Sequence, residues 1–287
     1  MHLPRFQWLE TYTFQYELKF LNLEYAQTVY NQAVRHHLSN GTTTCSYFAT
    51  IHLEACKVLV DIVEEADQRG YIGKVNKDRN SPIPLLEDTQ KSIDDTNEFV
   101  QYVHSKGNKM LTPVITPRFV ASCLSELMQE LAKISRMYTP KLPIQSHLAE
   151  NQEESKWVET LHPESETYAE QDERDLLRDN HTAVIHCPTS NFSLSSGVLN
   201  VRRLLREGVK VGLGTDVSAG YSPPMLDAIC QVIIASKLVS IGSGSLGEQV
   251  KEEQALSYAE AFHLATMGSA EALGLGDNIG NFVVGKD

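Results

Sequence analysis

The stretch PIQSHLAENQEE, residues 143–154, passes from a short strand pattern into an acidic segment that begins a loop or a helix. Its first residues mix small apolar and polar side chains, which is typical of a half-buried strand. His147 closes this strand, and Glu150 follows three positions later. An imidazole and a carboxylate are therefore expected together at the end of a strand.

The rest of the chain continues this alternation of strand and helix. Short β-branched runs alternate with longer stretches of helical periodicity, which predicts a parallel sheet covered by helices. The length of 287 residues fits one α/β barrel of about 250 residues and leaves no room for a second sizeable domain. We therefore expect a single (β/α)8 TIM-type barrel domain over residues 1–287. The six predicted strands are 42–48, 70–75, 111–116, 142–147, 182–187 and 209–214.

Apolar residues at helical spacing predict two of the helices between these strands. One stripe includes Phe99 and Val103 and ends before Gly107, and another includes Leu127 and Leu131. Near the end of the sequence, Ser257 and Glu260 form a capping-box pattern that predicts a helix start.

Composition excludes several classes of protein. A formal net charge of -12 and a pI near 5.3 leave no basic stripe for phosphates, so a small molecule is a better expected ligand than polymeric nucleic acid. No apolar run reaches the roughly 18 residues of a membrane span. Glu10 and Glu17 lie where a signal peptide needs an apolar core. The five cysteines are widely spaced and form no C-x-x-C motif, which argues against a disulfide framework and against a thiolate zinc site. A reducing cytoplasm is therefore the expected compartment.

Polar residues follow the predicted strands at the point where each strand ends. In a parallel α/β barrel these carboxyl ends meet at one mouth, where the chemistry takes place. The residues placed there are Thr116, Arg118, Phe119, Ser146, His147, Glu150, His186, Asn191, Thr215 and Asp216.

Two of these residues could hold a metal ion. An imidazole and a carboxylate from separate strands can bind a divalent ion such as zinc, which lowers the pKa of bound water towards about 7. His147 and Asp216 are the natural pair. Glu150, expected one turn beyond His147, is placed to carry a proton from the water to the substrate.

Each of these residues also has a structural interpretation. His147 with Glu150 could be a solvated pair on a loop, and Asp216 could cap the segment that follows it. An arginine after a strand, such as Arg118, is often a surface or ion-pair residue. Phe119 taken alone would be core, and His186 would be a hydrogen-bonded core histidine.

Six motifs stand in order along the chain: NGTTTCSYFATIH (40–52), TPRF (116–119), SHLAEN (146–151), HCPTSNFSLSSG (186–197), GLGTDVSAGYSPPMLDAI (212–229) and ATMGSAEALGL (265–275). Together they resemble the amidohydrolase superfamily. Within that superfamily, TPRF, SHLAE and the serine-rich SNFSLSSG resemble the branch of aminohydrolases that act on guanine.

The resemblance implies a zinc enzyme that hydrolyses guanine to xanthine and ammonia, in the cytoplasm and usually as a homodimer. His147 and Asp216 would bind zinc and contact the substrate, and Asp216 would also help to activate water. Glu150 would contact the substrate and carry the proton. Arg118 would contact the O6 side of the purine, and Phe119 would pack on its ring.

The sequence departs from the family pattern at three places. The family has an H-x-H pair at the end of its first barrel strand, and none of the ten histidines here forms H-x-H. A family strand ending in His-Gly or His-Cys is also absent between His147 and His186. The sequence also stops at VVGKD, where the family continues into a small β-sandwich. We therefore expect a barrel shortened at both ends and within, which binds zinc weakly unless His186 or His52 joins the site.

Two other functions remain open at this point. Another aminohydrolase or a chlorohydrolase, acting on a triazine or a different purine, would share the metal motifs. The absence of H-x-H is also consistent with a catalytically inactive variant of the enzyme, which would act as a binding subunit or regulate a dimer. Zinc deaminases that need both an H-x-E and a P-C-x-x-C motif are excluded, because the sequence contains no P-C-x-x-C.

Overall fold

The computed structural model describes residues 8–162, 171–217, 219–242 and 254–287. The chain divides into two compact units, which are described separately. The N-terminal unit comprises the described residues up to Leu148, and the C-terminal unit those from Ala149 to Asp287.

The N-terminal unit contains a three-stranded parallel sheet. Strands β1 (Thr44–Phe48), β2 (Arg69–Gly73) and β4 (Leu111–Pro113) lie in the order β1-β2-β4. Two shorter strands, β3 (Val75–Asn76) and β5 (Thr116–Pro117), follow β2 and β4 in the chain and pair with each other in parallel. The predicted second and third strands are therefore present, but each is divided into two short pieces.

Helices connect these strands, as the periodicity predicted. Phe99, Val103, Leu127 and Leu131 are buried at the helical spacing expected of them, so both predicted apolar stripes are confirmed. The helices are α1 (Phe14–Lys19), α2 (Leu23–Ser39), α3 (Leu53–Glu65), α4 (Thr89–Ser105) and α5 (Ser125–Arg136), with π-helical turns at Leu9–Thr13 and 3-10 turns at Ile83–Leu85 and Val120–Ser122.

The predicted strand over residues 142–147 is wrong in its extent. Only one parallel bridge forms there, between Ile115 and Ile144. Proline explains the short ladder, because Pro143 and Pro117 have no backbone N–H to donate. The side chain of Gln145 replaces part of the missing ladder.

Gln145 links this segment to two neighbouring strands. Its Oε1 accepts from Ser46 at 2.8 Å, and its Nε2 donates to the Tyr47 carbonyl and to Thr116 Oγ1, both at 3.1 Å. Gly73 leaves room for this arrangement, since a Cβ there would lie 2.6 Å from Gln145 Nε2. The backbone that leads to His147 is thus held by a side chain as well as by strand pairing.

The C-terminal unit contains strands β6 (Ala183–His186) and β7 (Lys210–Leu213), which pair in parallel with His186 opposite Leu213. Both predicted strands are confirmed. Ser257 and Glu260 form the predicted capping box. The helices are α6 (Gln152–Leu161), α7 (Gln171–Asp179), α8 (Pro188–Ser193), α9 (Val201–Arg206), α10 (Met225–Ser240), α11 (Tyr258–His263) and α12 (Ser269–Ala272), with a π-helical turn at Leu264–Gly268.

The β6–β7 pair is covered by helices α9, α10 and α11. Val211 and Leu213 of β7 pack in one cluster with Val232 and Leu264. Within the described part of the chain, no helix is long and apolar enough to cross a membrane.

Candidate active site

The imidazole of His147 is fixed by the backbone of Arg118. The Arg118 carbonyl oxygen accepts two hydrogen bonds from His147, one from the backbone N–H and one from the ring Nδ1, each at 3.0 Å. Since a carbonyl only accepts, Nδ1 carries the proton and the lone pair of the neutral ring is on Nε2. This is the tautomer that a metal-binding histidine needs when Nε2 is the ligand atom.

An aromatic contact and a strand extension complete the support of this pair. The ring of Phe48 lies edge-on to the His147 ring, with centroids 4.5 Å apart. The backbone N–H of Arg118 donates to the Asn76 carbonyl at 3.0 Å, which continues the pairing of β3 with β5. Arg118 and His147 are therefore positioned together within one unit.

The side chain of Arg118 lies beside a buried carboxylate. Its Nη1 is 3.5 Å from Glu17 Oε2, and the same oxygen accepts from Lys77 Nζ at 2.9 Å. Lys77 is fully buried, and this burial lowers its pKa to about 8. Burial works to raise the pKa of Glu17, but the charges of Lys77 and Arg118 outweigh it and lower that pKa. Phe119, next to Arg118, is buried at 5% exposure.

Glu17 is a residue that sequence reasoning missed. In the sequence, Glu17 only argued against a signal peptide. Its role in the fold was missed because its partners lie far away along the chain. The one available signal was a carboxylate on a short helix, α1, among apolar and aromatic neighbours.

In the C-terminal unit, Asp216 and Glu150 are close to the same thiol. Burial raises the pKa of Cys187 well above its ordinary value, and the charges of Asp216 and Glu150 raise it further. The thiol is therefore protonated at neutral pH and packs against the end of the neighbouring strand. Gly214 allows this packing, because a Cβ there would lie 2.8 Å from Cys187 Sγ.

The backbone at Asp216 and Ala149 is unusual. Asp216 has φ 47°, and its carbonyl accepts from Gly220 N at 2.6 Å in a tight turn after β7. Ala149 has φ 45°, and α6 begins only after Asn151, whose side chain caps it by accepting from Glu154 N. Glu150 therefore precedes the helix, so the expected position one helical turn beyond His147 is wrong.

His186 is the third histidine of interest. It is 2% exposed, and its Nε2 has no hydrogen-bond partner within the part of the chain that is described. Burial lowers its pKa to about 4, while a hydrogen bond with Asn191 works in the opposite direction. The ring is therefore neutral at physiological pH, as a ligand or a core histidine would be.

The predicted site residues are divided between the two units. Arg118, Phe119 and His147 belong to the N-terminal unit, and Glu150 and Asp216 to the C-terminal unit. Among the described residues, no group of three or more His, Cys, Asp or Glu side chains could hold a metal ion. The predicted metal pair thus has one member in each unit, and their meeting at one ion stays a prediction.

Known proteins resemble this chain over almost all of its length. The model of the amidohydrolase family matches residues 2–287. Guanine deaminases of Dictyostelium discoideum and Homo sapiens are 42% and 41% identical, over 99% of this chain and 66% of each relative. A crystal structure of guanine deaminase from C. acetobutylicum, with bound guanine in the active site, is 36% identical with a TM-score of 0.92, and covers 99% of this chain and 70% of that one.

These comparisons confirm the predicted fold class, a TIM-type α/β barrel of the metal-dependent hydrolase kind. The chain spans about 66% of the length of the curated relatives. The alignment with the Dictyostelium discoideum protein runs over 306 residues, which exceeds the 287 residues of this chain. The relative therefore carries positions inside the matched range that this chain lacks, and the shortening expected between His147 and His186 stays a prediction.

Proposed function

We propose that this chain, which belongs to the amidohydrolase family, catalyses the zinc-dependent hydrolytic deamination of guanine to xanthine and ammonia. The observation that carries the proposal is the bond between His147 and the Arg118 carbonyl. It joins the residue expected to bind metal to the residue expected to bind the purine. The names of the curated relatives, and the guanine in the related crystal structure, support guanine as the substrate.

The donor atoms of His147 and Asp216 fit zinc in kind. The protonated Nδ1 of His147 puts the lone pair on Nε2, and an aspartate carboxylate is an ordinary zinc ligand. In number they fall short of the three protein ligands common in catalytic zinc sites. Zinc held by these two residues would polarise a water molecule and lower its pKa towards about 7. We infer that the chain binds this ion weakly.

The proposed proton movements use two carboxylates. Asp216 takes part in removing a proton from the attacking water, whose oxygen bonds to the purine carbon that bears the amine. Glu150 carries that proton to a ring nitrogen and then to the amine, which leaves as ammonia. Their shared proximity to Cys187 supports the assignment, because it places both carboxylates in one region of the C-terminal unit.

The proposed substrate contacts come from the N-terminal unit. The planar guanidinium of Arg118 donates to the purine O6 and so orients the ring. Phe119 packs on the ring face. Both follow β5, and the backbone N–H of Arg118 continues the pairing of β3 with β5 through the Asn76 carbonyl.

The direct test is turnover by the purified chain with added zinc. Xanthine and ammonia formed in equal amounts from guanine, and none from the variant Asp216→Asn, would support the proposal. The exposed His36 supplies a control, since His36→Gln should retain the wild-type rate. Turnover of a triazine or another purine in place of guanine would contradict it.

We also propose a cytoplasmic homodimer, following the family. The cysteines support a reducing compartment, since Cys45, Cys56, Cys123, Cys187 and Cys230 are all free thiols.

A further inference from the structure

A buried cluster of charges surrounds the guanidinium of Arg118. Glu17 lies between Arg118 and Lys77, with its Oε2 3.5 Å from Arg118 Nη1 and 2.9 Å from Lys77 Nζ. Its other oxygen accepts from Thr50 Oγ1 at 3.3 Å. Both oxygens of the carboxylate are therefore engaged, which fixes its plane as well as its position.

The surroundings of this cluster keep water away from it. The side chains of Glu17, Lys77 and Arg118 are 9%, 0% and 12% exposed. Phe14 covers two of them, with its ring centre 5.2 Å from Lys77 Nζ and 5.7 Å from Arg118 Cζ. Charges removed from water in this way interact strongly, and each needs its partners.

The carboxylate of Glu17 holds only part of the guanidinium. Arginine has five N–H donors in a rigid fork, so a contact at Nη1 does not exhaust them. The backbone of Arg118 is fixed at the same time, by Asn76 at its N–H and by His147 at its carbonyl. A flexible side chain is thus restrained at both ends.

We propose that Glu17 is a positioning residue, which holds the Arg118 guanidinium in the orientation that donates to the O6 carbonyl of the purine. This inference rests on the proposed function. Lys77 holds Glu17 in turn, so the orientation of Arg118 depends on α1, far from the motifs that resemble the family. Without Glu17, Arg118 would sample other rotamers, and substrates with O6 would lose more than substrates without it.

Two variants isolate this effect. Lys77→Met removes the lysine but keeps the Glu17 carboxylate beside Arg118. The double variant Glu17→Gln with Lys77→Met removes the carboxylate as well, and it avoids leaving Lys77 buried without a counter-charge. Glu17→Asp, which keeps the charge on a shorter side chain, tests partial rescue.

The readout is the ratio of kcat/KM for guanine to that for 2-aminopurine, which has the same amine but no O6. We expect this ratio to be about tenfold lower in the double variant than in Lys77→Met, because one charge-assisted contact is lost. Glu17→Asp should lie closer to wild type. An equal loss on both substrates would show a merely structural role and overturn the proposal.

A second readout does not depend on activity. Phenylglyoxal modifies accessible arginines, and peptide mass spectrometry gives the rate at Arg118 relative to the exposed Arg35. We expect Arg118 to react several times faster in the double variant than in Lys77→Met, and equal rates would overturn the proposal. A wild-type chain that neither binds nor converts guanine would refute the proposed function instead, and the modification rates alone would then decide the role of Glu17.

Discussion

His147 donates its Nδ1 proton to the backbone carbonyl of Arg118, at 3.0 Å, within the same unit of the chain. The side chain expected to bind metal is thus oriented by the residue expected to bind the purine. The backbone N–H of His147 donates to the same carbonyl, so a shift of Arg118 would move both the backbone and the ring of His147. The predictions below follow from this and from the other contacts of the site.

His147→Ala should remove most of the zinc and most of the activity. We expect kcat/KM for guanine to fall at least about a hundredfold, because a direct ligand is lost. Zinc content after gel filtration should fall with it. His36→Gln, a substitution on the exposed side of α2, is the matched control and should change neither quantity. Full activity in His147→Ala would rule out its role as a ligand.

Arg118→Lys should weaken guanine binding although it keeps the charge. A lysine ammonium is a point donor and cannot reproduce the planar fork, so kcat/KM should fall about tenfold to a hundredfold. The loss should be smaller for 2-aminopurine than for guanine. Arg35→Lys, at an exposed position, provides the comparison. Equal losses on the two substrates would argue against a contact to O6.

Zinc should exchange readily with solution. With only His147 and Asp216 predicted as ligands, we expect dialysed protein to contain well below one zinc per chain and to deaminate guanine poorly. Added zinc should restore turnover in proportion to occupancy. Dialysed protein that retains one zinc per chain and converts guanine at a steady rate would refute this expectation and would point to a further ligand, such as His186.

The stability of the protein should fall in mild acid because of His186. Burial depresses its pKa from the ordinary 6.5 to about 4. The unfolded chain therefore takes up this proton first, and the free energy of unfolding falls as the pH drops from 6.5 towards 4. His186 alone should lower the free energy of unfolding by about 3 kcal/mol once the pH has fallen to about 4, and by very little at neutral pH.

Urea denaturation at several pH values would measure this contribution. His186→Gln should have a shallower loss of unfolding free energy between pH 6.5 and 4 than the wild type. The loss should not vanish, since burial also lowers the pKa of His37 and His52. His36→Gln should keep the wild-type slope. An unchanged slope in His186→Gln would mean that the ring is not the group that titrates.

Much of the fold could be predicted from the sequence, because its elements depend on local patterns. The stripes around Phe99 and Leu127 are buried as helical periodicity requires, and Ser257 caps its helix through Glu260. The segment 142–147 could not be predicted in the same way. It has the composition of a strand, but Pro143 limits its ladder and Gln145 makes part of the missing connections.

The candidate site was less predictable for a different reason. His147 and Asp216 stand in recognisable motifs, so the sequence could nominate them. Glu17 lies 101 residues from Arg118, and no local pattern connects the two. Contacts of this kind depend on the folded chain, since burial and partner charges decide whether a carboxylate on a short helix is solvated or structural.

Ala149 separates His147 from Glu150 and has φ 45°, a conformation that glycine adopts more easily than alanine. Holding an alanine in this left-handed region costs about 1 kcal/mol of folding free energy, because its Cβ lies close to the backbone carbonyl. A glycine at position 149 would relieve this strain, but it would also lose more backbone entropy on folding. The alanine therefore exchanges some strain in the folded chain for a smaller number of conformations in the unfolded one.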